Sequence, residues 1–279
     1  MTDRARAVVI GGGVTGCSVA YHMATAGWSD VLLLDKGELT SGSTSHAAGL
    51  VTMFNPSPTM MRFRRYSIEV YRELGVFEAV GSLRFASSPE QLRELRRGVS
   101  RARGMGLDVE LLGPEEALAL MPAASPEALH GAVWVAGDGC LDPHTATHAL
   151  AAGARALGAT IRTGVRVTGI ELGPQREVRS VMTQADAIEC EVVVDAAGIW
   201  APRVAAMVGT FVPSTPVDHQ HVALRAVAGS ELPRDMPFFR DPDNLVYAKS
   251  EHGGVLFGGY EGDPVARWID GVPWQHGAR

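Results

Sequence analysis

The sequence is short of lysine, of cysteine and of long apolar runs, and each shortage narrows what the chain can be. Of its 25 basic residues only Lys36 and Lys249 are lysine, a bias that fits a GC-rich genome better than any function. Acidic residues number 31, giving a formal net charge of -6, which argues against a nucleic-acid partner and its need for a basic face. Cys17, Cys140 and Cys190 lie too far apart for metal-ligand spacing, and no metal site is expected. One of the three stays unpaired in any disulfide scheme, so a reducing compartment is expected. No apolar stretch approaches the ~20 residues of a membrane span. The run VVIGGG begins at Val8, and no signal or transit peptide is expected before it. A soluble cytoplasmic protein without a membrane partner is the expectation. What the chain does have is 46% hydrophobic residues over 279 positions, enough for a large core in one domain or two.

Residues 7–10, AVVI, read as a short buried strand. A glycine-rich turn follows, then a helical stretch ending near Gly27 as its C-cap, then a second buried strand, VLLL, at 31–34. This is a βαβ unit. Residues 59–74 carry helical spacing. From SLRFAS onward, strands alternate with charged amphipathic helices, as in an inserted second layer. After Pro143 the α/β pattern returns, with THALAAGARALGA as a helix, TIRTGVRVTGIEL as a strand pair and ECEVVVDAAGIWAP as a buried strand entering a glycine turn. HQHVALRAV, NLVYAKS and GGVLFGGY read as sheet.

Gly11, Gly13 and Gly16 match G-x-G-x-x-G between the first strand and helix. The first glycine permits the tight turn, the second lets backbone reach a pyrophosphate, and the third lets helix and strand pack closely. Free N–H groups at the helix start suit phosphate. Asp35 closes the next strand at the distance expected for a ribose contact, and favours a ribose with free hydroxyls, as in FAD or NAD.

The segment DKGELTSGSTSHAAGLV then separates the two. With AYHMATAG, YSIEVYREL, the DGCLDP turn and VVVDAAGIWAP, it resembles the dimethylglycine and sarcosine dehydrogenase/oxidase branch of the D-amino-acid-oxidase-like FAD-dependent oxidoreductases, over nearly the whole chain. On its own, His46 reads more readily as a loop histidine that only packs beside or hydrogen-bonds a ligand; the resemblance implies that it bonds covalently to the 8α-methyl of FAD. The implied FAD contacts are Gly11, Gly13, Val14, Thr15, Gly16, Asp35 and Lys36, then Gly42, Ser43, Thr44, His46, Ala47, Gly49 and Leu50. Val167, Ala197, Gly198 and Trp200 follow, Trp200 being open to ordinary packing as well. The resemblance puts His219 and Tyr247 in the catalytic site; spacing alone demonstrates neither, and a core or surface role suits His219 nearly as well. Arg225 and Lys249 are weaker carboxylate partners.

The resemblance implies an α/β fold: a Rossmann-like FAD-binding domain of glutathione-reductase type carrying an inserted, mainly antiparallel α+β substrate domain. The FAD domain is expected over 1–80 and 141–210, the substrate domain over 81–140 and 211–279. The implied reaction oxidises the C–N bond of a small N-methyl amine or amino acid by hydride transfer to flavin N5, with oxygen or an electron-carrier protein as acceptor. Family members continue past the position of Arg279, so a truncated substrate domain is expected, with a partner chain as one source of the remainder. The alternatives are a D-amino-acid or glycine oxidase with dissociable FAD, and an inactive FAD-binding fragment or split-enzyme subunit. An NAD dehydrogenase has no need of HAAGL and DAAGIW as two flavin-facing turns.

Overall fold

The computed structural model describes residues 4–274. The strands, in chain order, are β1 (Ala7–Ile10), β2 (Val31–Leu34), β3 (Leu50–Val51), β4 (Ser82–Ala86), β5 (Glu110–Leu112), β6 (Gly131–Val135), β7 (Gly139–Cys140) and β8 (Thr160–Arg162). They continue as β9 (Val167–Leu172), β10 (Val178–Thr183), β11 (Ala187–Glu189), β12 (Val192–Asp195), β13 (His221–Leu224), β14 (Phe238–Asp241), β15 (Val246–Glu251) and β16 (Gly254–Gly259). The helices are α1 (Val14–Thr25), α2 (Pro58–Glu73), α3 (Pro89–Gly104), α4 (Pro114–Leu120), α5 (Pro143–Ala156) and α6 (Ala201–Ala206). No helix among the described residues is long and apolar enough to cross a membrane.

Three helices begin at a capping residue followed by proline. Ser57, Ser88 and Asp142 accept the N–H of Met60, Gln91 and Thr145 at 3.4, 3.1 and 2.7 Å. Each cap satisfies one orphan donor, and the proline that follows has no N–H to orphan.

The chain divides into two compact units. The first holds the residues up to Ala47, Asp142–Val217 and those from Ala266. Its parallel sheet runs β12-β1-β2-β8. AVVI and VLLL are buried at every position, as a sheet covered on both faces requires. Val8, Ile10, Leu32 and Leu34 pack against Val167, Val181 and Ile188 of the antiparallel sheet β11-β10-β9. The alternate residues, Ala7, Val9 and Leu33, point to the other face by the period of two.

The second unit holds Ala48–Leu141 and Asp218–Val265. Its seven-stranded sheet runs β13-β16-β15-β14-β4-β6-β5, antiparallel throughout except at β14–β4. Met61 of α2 and Leu95 and Val99 of α3 pack with Val133 and Val135 of β6. Ala117 of α4 packs with Leu83, Phe85 and Ala132, whose side chains leave the opposite face.

The architecture is thus α/β, with a discontinuous Rossmann-like unit and a mainly antiparallel α+β unit. Three boundaries move by more than one residue from their expected places, the smallest of these shifts being the second entry into the second unit, after Val217 rather than residue 210. The first switch comes after Ala47 rather than at residue 80, because Met61 of α2 is buried in the second unit's core. The chain also returns to the first unit at Ala266 instead of staying in the second to its end. Residues 1–3 and 275–279, at the ends of the expected domains, lie outside the described residues. The strand pair expected in TIRTGVRVTGIEL is split between sheets: β8 pairs with β2, and β9 with β10.

Candidate functional site

The site in the first unit starts at the turn after β1. Gly11 has φ +115, and a Cβ there would fall 2.4 Å from the Ala196 carbonyl oxygen. A Cβ on Gly16 would fall 1.8 Å from the carbonyl oxygen of Gly11. Only glycine lets the strand, turn and helix close this tightly. Asp35, just past β2, accepts the Gly12 N–H on Oδ2 at 2.5 Å and the Gly37 N–H on Oδ1 at 2.7 Å. Its carboxylate therefore braces two glycine turns at once. No side chain caps α1 at Gly13; the Val14 N–H is taken by Thr44 Oγ1 at 3.1 Å.

These groups border a cleft of about 320 Å³. Gly11, Gly13, Val14, Thr15, Asp35, Lys36, Gly42, Ser43, Thr44, Ala47, Val167, Ala197, Gly198 and Trp200 all line it. The sequence reading thus brought together most of one wall-to-wall site. It missed Ile10, Leu34, Ser41, Val165, Ala196 and Val204. Ile10, Leu34 and Ala196 could have been found, since they adjoin the glycine turns at the carboxyl ends of parallel strands, where such folds bind ligands.

Four expected contacts lie elsewhere. Gly16 is buried and serves close packing. His46 ends the 3-10 turn Ser43–His46, is exposed, and is absent from the cleft lining. Gly49 and Leu50 belong to the second unit, where Leu50 pairs with Cys140 in β3–β7. Trp200 does line the cleft, but it is also a packing residue: it is 7% exposed, and its Nε1 donates to the Pro273 carbonyl at 3.0 Å. Lys36 Nζ sits 3.9 Å from the centre of the Trp200 ring and donates to the Trp274 carbonyl at 3.0 Å. Burial holds its ammonium below the usual lysine range, against an opposing pull from Asp35.

The residues fit a dinucleotide. Backbone lines the cleft where phosphates need N–H groups, a Cβ on Gly13 would come within 3.0 Å of Thr44 Oγ1, and Ile10, Leu34, Val165, Val167 and Val204 give the rest a mainly apolar wall beside Asp35, Lys36 and the serines.

His219 and Tyr247 lie in the second unit. His219 Nδ1 is 2.6 Å from Glu261 Oε2, and its ring meets Tyr260 edge-on at 5.3 Å. The hydrogen bond from His219 pulls the Glu261 carboxyl below its usual range. Tyr247 lies 5.7 Å from Tyr260, ring to ring, and Arg240 donates to the Tyr260 hydroxyl at 3.2 Å. Burial pushes the Tyr247 phenol up. The sequence reading missed Arg240, Tyr260 and Glu261. Lys249 is engaged by Glu251 at 2.8 Å, which leaves it a poor carboxylate partner. Arg225 is exposed beyond β13.

A family model described as "DAO: FAD dependent oxidoreductase" matches residues 6–278. The chain is 36% identical over 284 residues to the mitochondrial dimethylglycine dehydrogenase of Rattus norvegicus, covering 97% of this chain and 33% of the relative. It is 35% identical over 275 residues to 4-methylaminobutanoate oxidase (formaldehyde-forming) of Paenarthrobacter nicotinovorans, covering 96% and 33%. The chain therefore spans about a third of the length of these curated relatives. Among solved structures, L-proline dehydrogenase of P. horikoshii superposes with TM-score 0.87 at 26% identity, over 95% of this chain and 71% of that one.

Proposed function

Because the chain belongs to the DAO family of FAD-dependent oxidoreductases, we propose that it oxidises the C–N bond of a small N-methyl amine or amino acid of the sarcosine and dimethylglycine class. The observation that carries this is the joint one: a dinucleotide cleft, in a chain whose relatives act on dimethylglycine and on 4-methylaminobutanoate. When bound, FAD supplies the acceptor for the hydride leaving the carbon next to nitrogen.

The chain's own residues do the rest. Gly11, Gly13 and Thr15 present the α1 amino end to the pyrophosphate. Asp35 meets the adenosine ribose, and Val167 meets the adenine. Gly42, Ser43, Thr44, Ala47, Ala197 and Gly198 contact the flavin half. His46 forms the covalent tether through its imidazole. His219 takes the proton of the substrate amine, held for that task by Glu261, since a neutral amine gives up hydride more readily than an ammonium. Tyr247 orients the substrate. Electrons pass on to oxygen or to a carrier protein, and a partner chain or further sequence completes the length found in the relatives.

A second reading, a glycine-oxidase-like protein with dissociable FAD, draws on one observation: the His46 side chain is exposed and outside the cleft lining. The function is tested by mixing the flavin-loaded protein with sarcosine or dimethylglycine without oxygen. Loss of the yellow flavin absorbance supports it; an unchanged spectrum with both amines, and with glycine and D-alanine, rejects amine oxidation.

A further inference from the structure

The chain leaves the second unit after Val265 and returns to the first. There it makes three bonds in a row. The Val272 carbonyl accepts from Arg203 Nη1 at 2.8 Å, the Pro273 carbonyl from Trp200 Nε1 at 3.0 Å and the Trp274 carbonyl from Lys36 Nζ at 3.0 Å. Three side-chain donors, from separate places in the chain, thus meet three consecutive carbonyls. Val272 is 3% exposed, and Trp274 packs against the core cluster that holds Ile10, Leu34 and Val204. Arg203 lies 4.9 Å from the centre of the Trp274 ring. Pro273 fixes its own φ and keeps Val272 out of the helical region, so the segment is stiff before it docks.

The donors stand on opposite sides of the phosphate turn. The sheet runs β12-β1-β2, and the turn follows β1. Lys36 follows β2, whereas Trp200 and Arg203 follow β12. Residues 272–274 therefore tie the end of one outer strand to the end of the other. The tie holds the Lys36 ammonium 3.9 Å from the centre of the Trp200 ring. Lys36 and Trp200 line the cleft, while Val272, Pro273 and Trp274 stay outside its lining. A lysine left to solvent spreads over many rotamers; here a carbonyl and a ring face hold its charge in one place on the wall. Trp200 is buried, so its N–H needs the acceptor that Pro273 supplies.

We propose that Val272, Pro273 and Trp274 form a strap of positioning residues for the dinucleotide cleft, holding Lys36 and Trp200 in the orientation that binds FAD. The strap rests on the reading of the cleft as the FAD site and needs nothing of the amine chemistry. Without it Lys36 and Trp200 visit other rotamers, and the apparent affinity falls with the fraction of chains that stays competent.

The test uses the full chain carrying His46→Ala, so that FAD binds reversibly. Bound flavin is removed by dialysis, FAD is added back, and quenching of its fluorescence gives a dissociation constant. Adding Trp274→Ala should raise that constant roughly tenfold, and Arg203→Gln, which removes one donor outside the cleft, about threefold or more. Trp274→Phe keeps the carbonyl and an aromatic ring, and should recover most of the affinity. Where Trp274→Ala fails to fold, Arg203→Gln carries the test, since it leaves the Trp274 ring in place. A merely structural strap would matter whatever stands at the cleft wall. In a chain that also carries Lys36→Met and Trp200→Phe, Trp274→Ala should therefore change the constant less than about twofold, because its partners are gone. Unchanged constants for Trp274→Ala and Arg203→Gln, or a tenfold loss that persists in the Lys36→Met, Trp200→Phe background, overturn the proposal. Dimethylglycine separates it from the function above. If the variants bind FAD equally and dimethylglycine reduces their flavin, the strap fails and amine oxidation stands. If no amine reduces the flavin while FAD binding depends on Trp274, the strap stands and amine oxidation fails.

Discussion

Asp35 holds the backbone N–H of Gly12 at 2.5 Å, so the acid at the end of one strand fixes the phosphate turn at the end of another. Asp35→Ala leaves two N–H groups, of Gly12 and Gly37, without their acceptor. The expected loss is about 1–3 kcal/mol of stability, together with weaker FAD retention. Thermal melting and flavin content per chain check both.

Gly16→Ala tests the close approach of helix and strand. A Cβ lies 1.8 Å from a backbone oxygen there, and backbone cannot swing aside like a long side chain. The turn must open, at a cost of at least about 1–3 kcal/mol, and the purified variant should carry little flavin. A variant with native melting temperature and full flavin would contradict the geometry.

Tyr247 lies across Gly258, where a Cβ would fall 2.2 Å from the ring. Gly258→Ala should therefore displace Tyr247 and reproduce the kinetic defect of Tyr247→Ala. The double variant should be no worse than either single one, because residues acting as one unit are not additive. Additive losses in kcat/KM would show that the two act separately.

The cysteines give a pH dependence. Burial pushes the thiols of Cys17, Cys140 and Cys190 up from 9.0 to about 11. The folded values lie above the unfolded ones, so the protonated thiols favour the fold. That stability is fully present below the unfolded value near pH 9 and is lost as pH rises towards about 11. Melting temperature should fall over that window. At pH 8 a disulfide reagent such as Ellman's should react slowly with the native chain and with all three thiols after unfolding; three fast native thiols would contradict it.

The two halves of the chain were legible to different degrees. AVVI, VLLL and the glycines at 11, 13 and 16 announced the nucleotide unit, because a doubly covered parallel strand is apolar at every position and a phosphate turn admits few residues. The segment boundary near residue 80 was misplaced because α2 carries an amphipathic pattern that says how much it buries but not against which sheet; Met61 shows the answer only in three dimensions. The hairpin β10–β11 went unread, since its strands mix apolar and polar residues over short spans. Lys36, Trp200 and Arg203 lie far in sequence from residues 272–274, and only the chain's return to the first unit makes them neighbours. His219 and Tyr247 were singled out by resemblance, while Glu261, which holds His219, had no sequence signal beyond following a glycine-rich strand.

The central claim is that the cleft of the first unit holds FAD and that His46 tethers it. The most direct measurement is acid precipitation of the purified protein, with flavin absorbance read in pellet and supernatant. The expected result is yellow colour in the pellet for the unaltered chain and in the supernatant for His46→Ala. Colour released from both would contradict the tether, and a colourless protein that takes up no added FAD would contradict the cleft assignment itself.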